Sequence, residues 1–188
     1  MVYRELTIED IPTLKTIDGS LTSNSKYSLV RSTDDSGLSY KLKIEQVGGP
    51  FNFPANYSCE EGDESQYRVM LSDPSGWGMI ALDEGSVAGF CLCQEQAVTR
   101  SFYIEGLFVD RSLRGQGIGK SLISLIIKEA RMRKLESVWL KTENTNMPAC
   151  QFYQNCGFRI TGIKENLSQG YKGRQWDFAI FWGLEISK

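Results

Sequence analysis

Histidine is absent from this chain of 188 residues. The chain therefore lacks the side chain that most often serves as a general base near neutral pH and as a neutral metal ligand. Five cysteines are present, an odd number, and Cys91 and Cys93 lie in an apolar strand pattern. Because no second cysteine pair has the spacing of a zinc site, we predict no metal centre and mostly buried, reduced thiols.

An excess of positive charge is also missing. The net charge is −2 and the isoelectric point is about 5.3, which disfavours a nucleic-acid partner. No apolar run approaches the length of a membrane span, and the opening residues, MVYRELTIED, carry acids and no signal-peptide core. We expect a cytoplasmic protein with no membrane partner, and its length and hydrophobic content of 41% fit one domain over residues 1–188.

One stretch predicts a strand, a helix and a second strand in succession. The first strand covers Phe102–Val109 and the second covers Ser137–Leu140. Between them, apolar residues recur at helical spacing, at Ile118, Leu122, Leu125, Ile126 and Ala130. A crossover of this length predicts two parallel neighbouring strands within an α/β fold that has a mixed sheet.

The turn before this helix has the composition of a phosphate-binding loop. Glycine recurs at every second position, at Gly115, Gly117 and Gly119, between Arg114 and Lys120. Glycines allow the backbone close to a ligand, and a helix start offers unpaired N–H groups and a partial positive charge. The glycine spacing fits neither the dinucleotide fingerprint nor the ATP-binding P-loop. A turn without a ligand is the remaining alternative.

The other predicted elements surround this unit. Thr7 is expected to cap a helix with apolar residues at Ile8, Ile11, Leu14 and Ile17. Further strands are predicted at 27–31, 38–47, 77–82, 86–94, 158–163 and 175–184, with helices at 64–72 and 146–157. Loops are predicted at 48–63, which holds aromatic residues and an acidic run, and at 166–174.

Two motifs give the chain a resemblance to a known family. The segment Arg114-Gly115-Gln116-Gly117-Ile118-Gly119 resembles the acetyl-CoA pyrophosphate loop of the GNAT superfamily of N-acetyltransferases. The segment from Asn146 to Tyr153, followed by Cys156-Gly157-Phe158, is similar to that superfamily's second conserved block. The resemblance implies a mostly antiparallel sheet with one parallel crossover at the cofactor site. It also divides the chain into a variable substrate part, about 1–75, and a cofactor part, about 76–188.

The resemblance implies a role for each matching residue. Acetyl-CoA would be the co-substrate, with no metal. Its pantetheine arm and acetyl carbonyl would bind the strand at Leu107, Phe108 and Val109, and Asn146 would bond the arm from the next helix. The pyrophosphate would bind through backbone N–H groups of Arg114, Gly115, Gln116, Gly117, Ile118, Gly119 and Lys120.

The catalytic roles follow from the same resemblance. Tyr153 matches the tyrosine that protonates the departing thiolate, and packing in the core is its alternative role. Glu105 matches an acidic residue that many members use as a base, often through water, and a salt-bridged strand residue is the alternative. Some relatives place a glutamate where this chain has Lys141, and Glu143 lies two positions later.

The chain most resembles, within this superfamily, the streptothricin acetyltransferases. The expected reaction is transfer of an acetyl group through a tetrahedral intermediate to a primary amine of a small molecule, such as the β-lysine amine of a streptothricin. Acetylation of a protein N-terminus or lysine, and a non-catalytic acyl-CoA-binding module, are the alternatives. The acids at 60–64, Asp34 and Asp35 could attract a cationic acceptor. A homodimer is left open.

Overall fold

The computed structural model describes residues 1–35, 37–60, 62–165 and 178–186. In chain order its elements are β1 (Val2–Glu5), α1 (Ile11–Leu14), β2 (Leu21–Asp34), β3 (Gly37–Phe53), α2 (Asp63–Ser72), β4 (Gly76–Asp83), β5 (Ser86–Gln96), β6 (Ser101–Val109), α3 (Ile118–Met132), β7 (Ser137–Glu143), α4 (Met147–Asn155), β8 (Arg159–Glu165) and β9 (Phe178–Glu185). Short 3-10 turns occupy Ile8–Asp10, Ala55–Ser58 and Arg111–Leu113.

The described residues fall into two compact units. The first contains the described residues of Met1–Leu21, Phe53–Leu140 and Gly183–Lys188, and the second contains those of Thr22–Asn52 and Lys141–Trp182. Strands β7 and β9 each contribute residues to both units. The prediction of one domain with a variable part and a cofactor part stays a prediction.

The main sheet is mixed, as predicted. Its strand order is β1-β4-β5-β6-β7-β9-β8 among the described residues. Strands β1, β4, β5 and β6 pair antiparallel in succession, whereas β6 and β7 are parallel. The β4–β5 hairpin turns at Glu84 and Gly85, whose φ angles of 48° and 86° are left-handed and favour a tight hairpin turn.

The predicted crossover from β6 through α3 to β7 is confirmed. The helix buries Ile118, Leu122, Ile123, Ile126 and Ala130 and packs against β4, β5 and β6. The sequence predicts that Leu125 is buried on this helix, but Leu125 is half-buried and Ile123 is buried instead. The parallel register runs from Ser101 opposite Ser137 to Tyr103 opposite Trp139.

A second hydrophobic cluster covers the sheet in the first unit, and helices α1 and α2 contribute to it. Apolar residues from these helices and from β4 and β5 are buried together, including Ile11, Leu14, Tyr67, Met70, Ile80, Phe90 and Leu92. The cap predicted at Thr7 is present, since its backbone N–H donates to Asp10 Oδ2 at 2.9 Å. The prediction of a single N-terminal helix is wrong in detail. A 3-10 turn precedes α1, which ends at Leu14, and Ile17 is buried beyond it.

The hairpin of β2 and β3 is much longer than predicted. Strand β3 continues to Phe53, so the prediction of a loop is wrong for residues 48–53. Local propensity favours a loop at Gly48, Gly49 and Pro50, because glycine and proline are poor strand formers. A two-stranded sheet consists of edge strands alone, where a proline without an N–H group is tolerated.

The second unit holds α4 and β8. Asn146 caps α4 by accepting a hydrogen bond from the Ala149 N–H at 3.1 Å, and Gly157 ends it at a φ of 91°. The buried Asn144 joins two strands, since its Nδ2 donates to the Tyr27 carbonyl at 2.9 Å and its N–H donates to that of Phe178 at 3.1 Å. The loop predicted at 166–174 and the first residues of the strand predicted at 175–184 lie outside the described residues.

Two further features concern the cysteines and the helices. None of the five cysteines forms a disulfide in the described structure, and four of them are buried. Across the same residues, none of the helices combines the length and apolar character needed to cross a membrane.

Candidate active site

The glycine turn forms a run of exposed backbone donors at the start of α3. Gly115 and Gly117 adopt left-handed φ angles of 81° and 86°, which glycine tolerates best. The first helical N–H with an acceptor is that of Ser121, which donates to the Gly117 carbonyl at 3.0 Å. None of the six N–H groups of residues 115–120 has an acceptor in the described part of the chain. Such a run can bind a polyanion.

Arg114 does not point its charge toward these donors. Its guanidinium donates to the carbonyls of Val109 at 3.0 Å, Ser20 at 2.7 Å and Asp18 at 3.4 Å. Partial desolvation lowers the pKa of Arg114, against the opposing attraction of Asp18 and Asp110. The side chain remains a cation. Its side chain thus acts as a brace for the loop.

A corner formed by residues 18–20, which no sequence pattern predicts, completes this brace. The Asp110 carboxylate accepts from the N–H of Ser112 and from the N–H of Asp18, both at 2.9 Å. Burial opposes ionisation of Asp110, but these hydrogen bonds outweigh it and lower its pKa. The cap of Asp110 on the following turn could have been read from its spacing to Ser112. Its contact with Asp18, 92 residues away, could not.

Among the described residues, the pairing of β6 with β7 ends at its third position, Tyr103 opposite Trp139. The rings of Tyr103 and Trp139 contact each other there, with centroids 4.3 Å apart. Strand β6 continues to Val109, yet no pairing with β7 follows among the described residues. The half-buried residues Leu107, Phe108 and Val109 therefore lie on a strand whose edge away from β5 is available for hydrogen bonds, except at the Val109 carbonyl, which accepts from Arg114.

Glu105 occupies a bulge at the start of this unpaired stretch. Leu92 pairs with Gly106 and Cys93 pairs with Ile104, so Glu105 is the extra residue on β6. Bulges redirect side chains and are frequent beside active sites. The Glu105 side chain is half-buried, and its charge acts on the hydroxyl of Tyr67.

Tyr67 brings α2 close to this bulge. Its side chain is 4% exposed, and its hydroxyl donates to the Ser58 carbonyl at 3.3 Å. A Cβ atom built on Gly106 would lie 3.6 Å from that hydroxyl. Burial raises the pKa of Tyr67, and the charges of Asp63, Glu105 and Glu60 add to the shift. Tyr67 is thus a neutral phenol among carboxylates.

The remaining predicted residues belong to the second unit, where Tyr153 lies on α4 and Asn146 caps that helix. Tyr153 is 7% exposed, and its ring meets those of Phe152 and Phe158 at centroid distances of 5.1 and 5.6 Å. Asn146 is also buried, and its side-chain oxygen is engaged in the helix cap. The first unit therefore contains the glycine loop, the 107–109 stretch and Glu105, and the second contains Asn146 and Tyr153.

In the first unit, a donor-rich glycine turn follows a strand whose pairing with its parallel neighbour ends after three positions. A comparison with protein families agrees with this geometry. A model of the acetyltransferase (GNAT) family matches residues 49–158, more than half of the chain. The chain belongs to the GNAT family of acetyltransferases. The predicted membership, mixed fold and acetyltransferase class are thereby confirmed.

Individual GNAT proteins are similar over nearly the whole chain. The streptothricin acetyltransferase of Streptomyces lavendulae is 26% identical over 175 residues, which cover 89% of this chain and 86% of the relative. A crystal structure of a nourseothricin acetyltransferase shares the fold, with a TM-score of 0.79 at 23% identity over 99% of this chain and 98% of the other. A candidate streptothricin acetyltransferase of Bacillus anthracis strain Ames, solved in complex with acetyl coenzyme A, has a TM-score of 0.77 at 27% identity over 98% of both chains.

Proposed function

We propose that this GNAT enzyme transfers the acetyl group of acetyl-CoA to a primary amine of a small cationic molecule of the streptothricin type. The observation that carries the proposal is the backbone of one continuous segment, residues 104–120. It combines an unpaired strand edge with a run of uncommitted N–H donors. A strand edge can bind the amides of a pantetheine arm, and the donors at a helix start can bind its pyrophosphate.

The cofactor roles follow from this segment. Leu107, Phe108 and Val109 would hold the arm through their backbone groups, and residues 115–120 would hold the pyrophosphate. The exposed Lys120 adds a positive charge on the first turn of α3. Arg114 would act indirectly, because its guanidinium is engaged with three carbonyls. Asn146 would contribute from the start of α4.

The catalytic roles are assigned by the chemistry that each step needs. A free amine is required for attack on the thioester carbon, but an alkylammonium has a pKa of about 10. Glu105 would receive the proton, directly or through a water molecule, because it is the carboxylate on the unpaired part of β6. Tyr153 would donate a proton to the departing thiolate, since a phenol carries a proton at neutral pH. A tetrahedral oxyanion also needs a hydrogen-bond donor, and the β6 backbone can supply an N–H group.

The substrate class rests on charge and on the relatives. The chain carries a net charge of −2, and the relatives reported above include streptothricin acetyltransferases. In the first unit, Glu60, Asp63 and Glu105 lie close enough to act on Tyr67. Asp34 ends β2 in the second unit, and Asp35 follows it in the turn. Carboxylates near an acceptor site raise the local concentration of cations.

The test is a panel of acceptors assayed with acetyl-CoA at low and high salt. We expect streptothricin and free β-lysine to be acetylated faster than an amine with a neutral body. Their kcat/KM should fall with salt, because exposed charges are screened over about 8 Å at physiological ionic strength. Faster acetylation of a peptide N-terminus would favour a protein substrate. Binding of CoA without turnover of any acceptor would favour a non-catalytic module.

A further inference from the structure

A series of aromatic ring contacts runs beside Glu105 from the interior of the first unit toward its surface. Tyr67 contacts Phe90 with centroids 5.9 Å apart, and Phe90 contacts Phe108 at 5.5 Å. Phe108 contacts Tyr57 edge-on at 5.9 Å, and Tyr57 contacts Phe53 at 4.8 Å. Tyr67 and Phe90 are buried, whereas the other three rings are half-buried. Solvent therefore reaches the outer part of the series.

Carboxylates act on the inner end of this series. Glu105 lies on β6 three positions before Phe108 and occupies the bulge. The negative charges of Asp63 and Glu105 act on the Tyr67 hydroxyl. This hydroxyl donates a hydrogen bond to the carbonyl of Ser58, the neighbour of Tyr57. Aromatic faces and carboxylates share one ligand preference, since both attract a cation.

The turn that carries Tyr57 is held in place by the corner that braces the glycine loop. The Gly19 N–H donates to the Ala55 carbonyl at 2.7 Å, and the Ser58 hydroxyl donates to the Ile17 carbonyl at 3.2 Å. A Cβ atom on Gly19 would lie 2.7 Å from the Ser58 nitrogen, so the contact needs glycine. Because Asp18 also binds Asp110 at the loop, the Tyr57 ring has a defined position relative to the loop. Such preorganisation favours binding.

We propose that the Tyr57–Phe108 pair binds a cationic group of the acceptor other than the amine that is acetylated. The inference rests on the proposed function and deepens it. A ring face stabilises an ammonium ion over the neutral amine. The pair would therefore oppose deprotonation of the reacting nitrogen and suits a group that stays charged throughout. This arrangement makes Tyr57 a specificity-determining residue that favours diamines over monoamines.

The experiment compares two acceptors in three variants. The acceptors are β-lysine, which carries two amines, and the analogue that lacks the amine that is not acetylated. In Tyr57→Leu we expect kcat/KM for β-lysine to fall about tenfold, mainly through KM, because a cation–π contact is lost. The monoamine should change less than about twofold. Tyr57→Phe keeps the ring and should behave as wild type. Tyr40→Leu, at an exposed tyrosine in the β2–β3 hairpin, should leave both rates unchanged.

Three outcomes would overturn the inference. The first is an equal loss of kcat/KM for both acceptors in Tyr57→Leu. The second is a loss of kcat/KM for β-lysine in Tyr57→Phe as large as that in Tyr57→Leu. The third is a wild-type enzyme that does not prefer the diamine. Thermal unfolding and CoA titration of each variant separate these outcomes from misfolding or from a damaged cofactor site. If the wild type acetylates both acceptors without preference, the inference alone fails. If it acetylates no amine while binding CoA, the proposed function fails and the inference falls with it.

Discussion

Gly117 offers a test in which backbone strain and ligand contact can be separated. Its φ is +86°, and a Cβ atom built on it would meet no heavy atom of the described chain within 4 Å. Gly85, in the turn between β4 and β5, has the same φ of +86° and equally open surroundings. A valine at either position therefore incurs the same left-handed strain, on the order of 1–2 kcal/mol, without a clash.

We predict that Gly117→Val and Gly85→Val lose similar unfolding free energy but differ in CoA affinity. At Gly117 the new side chain would stand among the N–H groups of residues 115–120. Displacing the pyrophosphate from one or two of them would remove hydrogen bonds to a charged group, each about 1.5–3 kcal/mol. The loss corresponds to at least about a tenfold increase in Kd. Gly85→Val should bind CoA as wild type does.

Calorimetric titration with CoA and urea unfolding measure the two quantities. Unchanged CoA affinity in a folded Gly117→Val protein would refute the role of the glycine loop. An equal loss of affinity in Gly85→Val would show that the effect comes from general destabilisation instead.

Three further predictions address other parts of the structure. Arg114→Lys keeps the charge but cannot reproduce the fork of hydrogen bonds to three carbonyls. Urea unfolding should show a loss of about 1 kcal/mol, and calorimetry should show weaker CoA binding even at high salt; wild-type values in both would refute the brace. Tyr153→Phe should lower kcat on the order of a hundredfold with CoA affinity unchanged; a wild-type rate would make Tyr153 a packing residue. Hydrogen bonds from Arg4 lower the pKa of Asp10 to about 2. Arg4→Ala should therefore reduce the unfolding free energy at neutral pH. That deficit should disappear as the pH falls from about 4, the unfolded pKa of Asp10, through its folded pKa; a deficit independent of pH would refute the pairing.

The part of the fold that the sequence predicts best is the part governed by local rules. The β6–α3–β7 crossover follows from a helical apolar repeat between two apolar strands, and its parallel register is present. The β4–β5 hairpin follows from Asp83-Glu84-Gly85, where Glu84 and Gly85 can adopt the left-handed turn. In both cases the residues that determine the structure are neighbours in the chain.

Features determined by distant contacts could not be predicted. Strand β3 passes through Gly48, Gly49 and Pro50, where local propensity favours a loop. The role of Arg114 depends on two carbonyls from residues 94 and 96 positions earlier, which complete its hydrogen bonds. The bulge at Glu105 is visible only once the register of β5 against β6 is known. Sequence patterns indicate which residues are candidates for the chemistry, but not how their side chains are held.

The most direct test of the proposed function is acetylation of streptothricin by the purified protein, with CoA release and product mass followed in the same reaction. We predict one equivalent of CoA for each acetyl group gained. Fragmentation of the product should locate that group on the β-lysine amine. The proposal would be contradicted if CoA is released by hydrolysis alone, with no acetylated product. It would also be contradicted if the protein acetylates peptide N-termini while streptothricin remains unmodified.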